Sequence, residues 1–180
     1  FVDNDTINGI SIPKSIKEIG YRAFFGCDNL NSVTFEKGSE LKFIDEGAFA
    51  NCASLERIAM PIKVSVIPNG AFKDCISLKE VSLQKGVTEI QTEAFKGCTA
   101  LTNVIVPETI NTLGYNVFAD CTSLVCVSFS NTKTLSSIGQ NTFYNCSSLS
   151  KVIIPDSVVH IGANAFADCN FTLSSANCLN

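Results

Sequence analysis

Apolar residues recur along this chain at an even interval of 23 or 25 residues. The most regular position is a cysteine, which always has a phenylalanine three residues before it. The cysteines of this series are Cys27, Cys52, Cys75, Cys98, Cys121, Cys146 and Cys169. Isoleucine or leucine stands eight residues before each of these cysteines, and leucine stands three residues after all but the last. An interval that persists along the whole chain indicates a structural repeat.

Two spacings within each unit predict two kinds of element. Ile19, Ala23 and Cys27 are four residues apart, which places them on one face of a helical turn. Val33 and Phe35 are two residues apart, which is the periodicity of a strand. We therefore predict a short helix and a short strand in each unit. Because neither element can bury its apolar face alone, the units must stack.

The residue immediately before each repeat cysteine is always glycine, asparagine or aspartate. These residues are Gly26, Asn51, Asp74, Gly97, Asp120, Asn145 and Asp168. The three residue types best tolerate the left-handed conformation that ends a helix. We expect the chain to turn from helix towards strand at this position.

The repeat pattern predicts a single domain over residues 1–180. Residues 1–12 are in register with the second half of a unit, with Asn4 in place of the cysteine, so the chain is expected to open within a repeat. Residues 13–169 hold six to seven repeats of 23–25 residues, and residues 170–180 match a degenerate last unit. This arrangement is typical of a piece of a longer array.

A unit that reads I-x-x-x-A-F-x-x-C-x-x-L-x-x-V-x-h resembles the BspA-like class of leucine-rich repeats. Residues 90–106 (IQTEAFKGCTALTNVIV) and 161–169 (IGANAFADC) carry the pattern. The resemblance implies an α/β, right-handed solenoid with a parallel sheet on the concave side and short helices on the convex side. It also implies a secreted or cell-surface adhesin that binds proteins of a host, a neighbouring cell or the extracellular matrix.

The overall charge and composition argue against nucleic-acid binding and against a membrane-spanning segment. The formal net charge is −4, and no basic run exists to neutralise a phosphate backbone, so nucleic acid is not an expected partner. No apolar stretch approaches the roughly 20 residues that span a bilayer, and no secretory signal is present.

The seven repeat cysteines are expected to be reduced and buried as a ladder of small apolar side chains. A disulfide between stacked, parallel side chains suits the bridge torsion poorly, and a linear ladder cannot converge on a metal ion. Cys126 should point outward as an exposed thiol, because its neighbour Val127 points inward. Cys178 is expected to fill an apolar strand position, with pairing to Cys169 as the alternative.

No arrangement of residues predicts an enzyme, a cofactor or a metal site. His160 is the only histidine and has no recognisable nucleophile beside it, so a surface or turn position is expected. Three glycosylation sequons begin at Asn4, Asn145 and Asn170, and the position of Asn145 favours a conformational role.

The residues that alternate with the buried strand positions are the predicted binding surface, on the concave face. They are Thr34, Arg57, Ala59, Glu80, Ser82, Asn103, Ile105, Cys126, Ser128, Lys151 and Ile153. This face contains no tryptophan, tyrosine or phenylalanine, which are the residues that often anchor tight interfaces. The sequence favours a protein-interaction module, and the alternative is a structural spacer or stalk with no ligand of its own.

Overall fold

In the computed structural model of the protein, residues 1–129 and 131–170 are described, and they wind into a parallel β-solenoid. Each turn contributes one strand of two to four residues to a main sheet and one two-residue strand on the opposite side. In chain order the strands are β1 (Gly9–Ile12), β2 (Glu18–Ile19), β3 (Ser32–Phe35), β4 (Phe43–Ile44), β5 (Arg57–Ala59), β6 (Val66–Ile67), β7 (Glu80–Ser82), β8 (Glu89–Ile90), β9 (Asn103–Val106), β10 (Thr112–Leu113), β11 (Cys126–Phe129), β12 (Ser137–Ile138), β13 (Lys151–Val152) and β14 (His160–Ile161).

The odd-numbered strands form one seven-stranded parallel sheet in the order in which they occur in the chain. Equivalent repeat positions are register partners, as in the pairs of Ile10 with Val33 and of Val104 with Val127. The short strands form small parallel sheets on the other side, namely β2–β4, β6–β8–β10 and β12–β14. The predicted stacking of units and the predicted parallel sheet are therefore confirmed.

The side opposite the long sheet contains no helix in the part of the chain that the structure describes, so the predicted short helices are wrong. The backbone is left-handed twice per turn, at the residues five and one before each repeat cysteine. The pairs are Arg22 and Gly26, Gly47 and Asn51, Gly70 and Asp74, Glu93 and Gly97, Asn116 and Asp120, Asn141 and Asn145, and Asn164 and Asp168. A right-handed helix cannot contain a left-handed residue at every fourth position.

Backbone hydrogen bonds on this side alternate between two destinations. The N–H of Phe24 donates to the carbonyl of Ala48 in the next turn at 2.8 Å, whereas the N–H of Ala23 donates to Gly20 in its own turn at 3.1 Å. In a helix, each N–H would instead bond four residues back within the same segment. The left-handed conformation expected before each repeat cysteine is confirmed, but it belongs to a repeating double turn.

The core is built from two ladders that run the length of the solenoid. Eight phenylalanine rings stack from Phe1 to Phe166, with adjacent centroids 5.2 to 5.6 Å apart. The seven repeat cysteines are free, and all but the half-buried Cys169 are buried, as predicted. Each thiol also donates to a phenylalanine carbonyl of the preceding turn, as Cys98 does to Phe72 at 3.1 Å. The cysteine therefore serves as a buried hydrogen-bond donor as well as a small apolar residue.

The predicted degenerate unit at 170–180 and the strand position expected for Cys178 lie outside the described residues, apart from Asn170. The Asn170 amide donates to the Ser147 carbonyl at 3.0 Å.

Candidate functional site

The outer face of the seven-stranded sheet, which we call the sheet face, carries the residues predicted to alternate with the core. The exposed members are Thr34, Arg57, Ala59, Glu80, Asn103, Ile105, Lys151 and Ile153, and the partly exposed members are Ser82 and Ser128. Strand register brings neighbours together, because Ala59 pairs with Ser82 and Ile105 pairs with Ser128. The alternation rule therefore locates these side chains correctly.

Cys126 departs from the prediction of an exposed outward thiol. It lies between Asn103 and Lys151 in the register of the sheet, but its side chain is only 5% exposed. Its sulfur is disulfide-bonded, which removes a free thiol from the sheet face. Strand alternation locates the residue, but it carries no information on what covers the side chain or bonds to it.

Along the seven-stranded sheet, pairs of neighbouring strands that share three or four register pairs alternate with pairs that share only one or two. Four register pairs join β1 to β3, three join β5 to β7 and four join β9 to β11. A single pair joins β3 to β5 and another joins β7 to β9, while two pairs join β11 to β13. A groove lies between the two strands of each weakly paired set. Its volume is about 620 Å³ between β3 and β5, about 620 Å³ between β7 and β9, and about 680 Å³ between β11 and β13. We name these the β3–β5, β7–β9 and β11–β13 grooves.

The β3–β5 groove has an apolar lining with charged groups at its margin. Ala59 and Ile62 line it, and the Ile62 side chain is 60% exposed. The loop that contains Gly38 and Glu40 forms one wall, and this loop lies in a 25-residue unit that is two residues longer than most others. Glu40 accepts a hydrogen bond from Lys63 at 2.6 Å, and this lowers the pKa of the Glu40 carboxyl.

The other two grooves differ in chemistry. The lining of the β7–β9 groove combines the polar residues Arg57, Glu80 and Asn103 with the apolar residue Ile105. The residues of the β11–β13 groove include Phe129, Lys133, Ile153, Ile154 and Asp156, and its neighbouring loop belongs to the second 25-residue unit. Phenylalanine occupies the eighth position after the repeat cysteine only in the two long units, as Phe35 and Phe129.

A fourth groove, on the opposite side of the solenoid, was not predicted from the sequence. Its residues include Arg22, Phe25, Gly47, Gly70 and Glu93. The guanidinium of Arg22 lies 4.7 Å from the centroid of the Phe25 ring. The sequence signal for this side of the solenoid is the residue five before each repeat cysteine. It is mostly glycine or asparagine because its backbone is left-handed.

Within residues 1–129 and 131–170, no three histidine, cysteine or acidic side chains group as metal ligands. His160 is exposed on β14, in agreement with the surface position expected for it. Burial raises the pKa of the Cys98 thiol well above its usual 9.0, which disfavours the nucleophilic thiolate.

Among the residues described, no helix is long and apolar enough to cross a membrane. No match was found among curated protein sequences.

Solved bacterial structures resemble this chain over most of its length. A leucine-rich repeat protein of T. pallidum is 26% identical with a TM-score of 0.84, and the match covers 91% of this chain and 77% of that chain. A leucine-rich cell surface protein of Faecalibacterium prausnitzii is 27% identical with a TM-score of 0.61, over 90% of this chain and 58% of that chain. A leucine-rich repeat protein of Bacteroides ovatus is 29% identical with a TM-score of 0.72, over 91% and 50% of the two chains.

The family model for the BspA type leucine-rich repeat region matches residues 1–125 and 123–178, with six copies of the repeat. These matched residues include every phenylalanine and cysteine of the two core ladders. The chain therefore belongs to the BspA-type leucine-rich repeat family.

Proposed function

We propose that this protein is a non-enzymatic protein-interaction module of a cell-surface adhesin, and that it binds its partner through the sheet face. The observation that carries the proposal is the row of outward side chains on the sheet face, in which Ile105 is 47% exposed and Ile153 is 39% exposed. Neither side chain contributes to the buried core of the solenoid. A match with a leucine-rich cell surface protein of another bacterium supports the surface location.

The chemistry of the face favours modest affinity at each point of contact. Fully burying an isoleucine side chain contributes roughly 1.5–3 kcal/mol, and a partner would bury only the exposed part of each. The outward positions include no aromatic anchor of the kind that dominates tight interfaces. Strong attachment would therefore depend on several contacts that act together.

The test is binding to a panel of purified extracellular-matrix proteins, measured for the original chain and for the double variant Ile105→Lys/Ile153→Lys. Both changes point away from the core, so the melting temperature should stay the same. We expect saturable binding by the original chain and binding at least about tenfold weaker by the double variant, a loss of about 1.4 kcal/mol.

Ile76→Lys is the matched control, because Ile76 is 51% exposed but lies in a turn and not in a strand of the sheet. This variant should bind like the original chain. Undiminished binding by the folded double variant would contradict the assignment to the sheet face. Absence of saturable binding to every protein in the panel would favour a spacer with no ligand of its own.

A further inference from the structure

We propose that the β3–β5 groove captures a short extended segment of a partner protein, in which a large apolar side chain stands next to a carboxylate. The apolar side chain would pack against Ala59 and Ile62, and the carboxylate would bind the guanidinium of Arg57. This inference rests on the proposed function, because it names the kind of segment that the sheet face recognises.

The apolar part of the site follows from the way the groove is built. β3 and β5 are joined only through the pair of Ser32 with Arg57, so the sheet opens beyond this point. Ile62 then stands at the edge of the opening with 60% of its side chain exposed. The loop around Gly38 forms the facing wall. An apolar side chain placed between them would be shielded from water on two sides, which gives a contact there a larger contribution than one on a flat surface.

The charged part of the site is identified by comparing the hydrogen-bond and ion-pair partners of the charged side chains that line the groove. Glu36 accepts a hydrogen bond from the backbone N–H of Lys14 at 3.0 Å, and Glu40 is paired with Lys63. The Arg57 side chain is exposed, and its guanidinium makes no hydrogen bond or ion pair with any residue that the structure describes, although Glu80 is its register partner on β7. Among the described residues, no carboxylate is bonded to the Arg57 guanidinium, although the Glu36 carboxylate also lines the groove. A carboxylate from a partner can accept two parallel hydrogen bonds from the guanidinium.

The size of the groove limits what it can hold. A volume of about 620 Å³ is in the range of pockets for small ligands, so it accommodates the side chains of a few residues rather than a folded surface. An extended segment presents alternate side chains to one side, which lets an apolar and an acidic side chain enter together when they are two residues apart. When the apolar and the acidic residue are adjacent, both side chains can enter the groove if the bound segment bends between them.

The experiment is a selection of phage-displayed random 12-residue peptides on the immobilised protein. We expect enrichment of peptides with aspartate or glutamate within two residues of a large apolar residue. A labelled copy of the most enriched peptide is then titrated by fluorescence anisotropy. Its affinity should fall at least about tenfold with Ile62→Lys and at least about fivefold with Arg57→Gln. Both positions are exposed, and circular dichroism should show an unchanged fold.

Two matched controls and a second peptide make the result specific. Ile76→Lys introduces the same charge at an exposed isoleucine outside the groove, and Lys85→Gln removes an exposed cation outside it. Both variants should change the affinity by less than about twofold. Replacing the peptide carboxylate by an amide should weaken binding to the original chain but not to Arg57→Gln, because the two changes remove the same interaction.

The outcomes separate this inference from the proposed function. Enriched peptides without acidic residues, or peptides unaffected by Ile62→Lys and Arg57→Gln, would overturn the groove assignment. If matrix-protein binding persists and depends on Ile105 and Ile153 while no peptide is enriched, the groove inference fails and the proposed function stands. If neither peptides nor matrix proteins bind, both are wrong.

Discussion

Replacing Gly70 by alanine tests the corrected description of the side opposite the long sheet. In a helix, alanine is more favourable than glycine by about 0.8–1.0 kcal/mol, so the change would stabilise the protein. In the structure, Gly70 has a φ of 57°, where an alanine costs about 1–2 kcal/mol. The added Cβ would lie 3.8 Å from the Cβ of Lys73, which is ordinary contact, so no steric clash contributes. After allowance for the less flexible unfolded chain, we expect a destabilisation of about 1 kcal/mol.

The assay is urea or thermal unfolding of the purified chain, in which the change corresponds to a fall of about 2–4 °C in the melting temperature. Gly20→Ala is the matched control, since Gly20 has no left-handed φ and no atom within 4 Å of the added Cβ. That variant should be stabilised by about 0.4–1 kcal/mol. A stabilised Gly70→Ala variant would refute the double-turn description and restore the helical one.

Further experiments test the packing of the core and the Lys73–Glu93 ion pair. Phe95→Ala should destabilise the chain by about 3–5 kcal/mol in urea unfolding, because Phe95 is fully buried between two stacked rings, whereas Cys98→Ala should cost about 1 kcal/mol. The six buried repeat thiols, which are all but Cys169, should react with a thiol reagent only after unfolding, and reaction of most of them in the native state would contradict their burial. Lys73 holds the pKa of Glu93 below its usual 4.5, so stability should be full above that value and decline as the pH falls through the lowered pKa. Glu93→Gln should flatten this decline when unfolding is measured from about pH 3 to about pH 7.

The long-range features of the fold are predictable from the sequence because they repeat. The phenylalanine and cysteine ladders follow from two residue types at fixed offsets, and the parallel sheet follows from apolar residues two apart, as at Val33 and Phe35. The spacing of four residues between Ile19, Ala23 and Cys27 suggests a helix. The double turn produces the same spacing, because its left-handed residues are also four residues apart. The distinguishing signal is the residue five before the repeat cysteine, where the glycine at Gly47 and Gly70 opposes a helix.

The candidate surface is predictable only in part. Alternation along a strand correctly places Ile105 and Ile153 outside. It cannot reveal the burial of Cys126, because a disulfide depends on groups outside the strand. The grooves depend on where neighbouring strands separate, which is a property of pairing between turns. The two 25-residue units indicate positions where a turn must differ, but they do not specify that β3 and β5 diverge after Ser32.

Hydrogen–deuterium exchange of the protein alone and in complex with a matrix protein that it binds tests the sheet-face assignment most directly. Exchange reports backbone opening along the chain, so it distinguishes the two sides of each turn without any substitution. The account predicts slower exchange in the complex at β5, β9 and β11, with unchanged exchange in the double turns around Gly70 and Asn116. Protection confined to the double turns, with the seven-stranded sheet unchanged, would contradict binding through the sheet face.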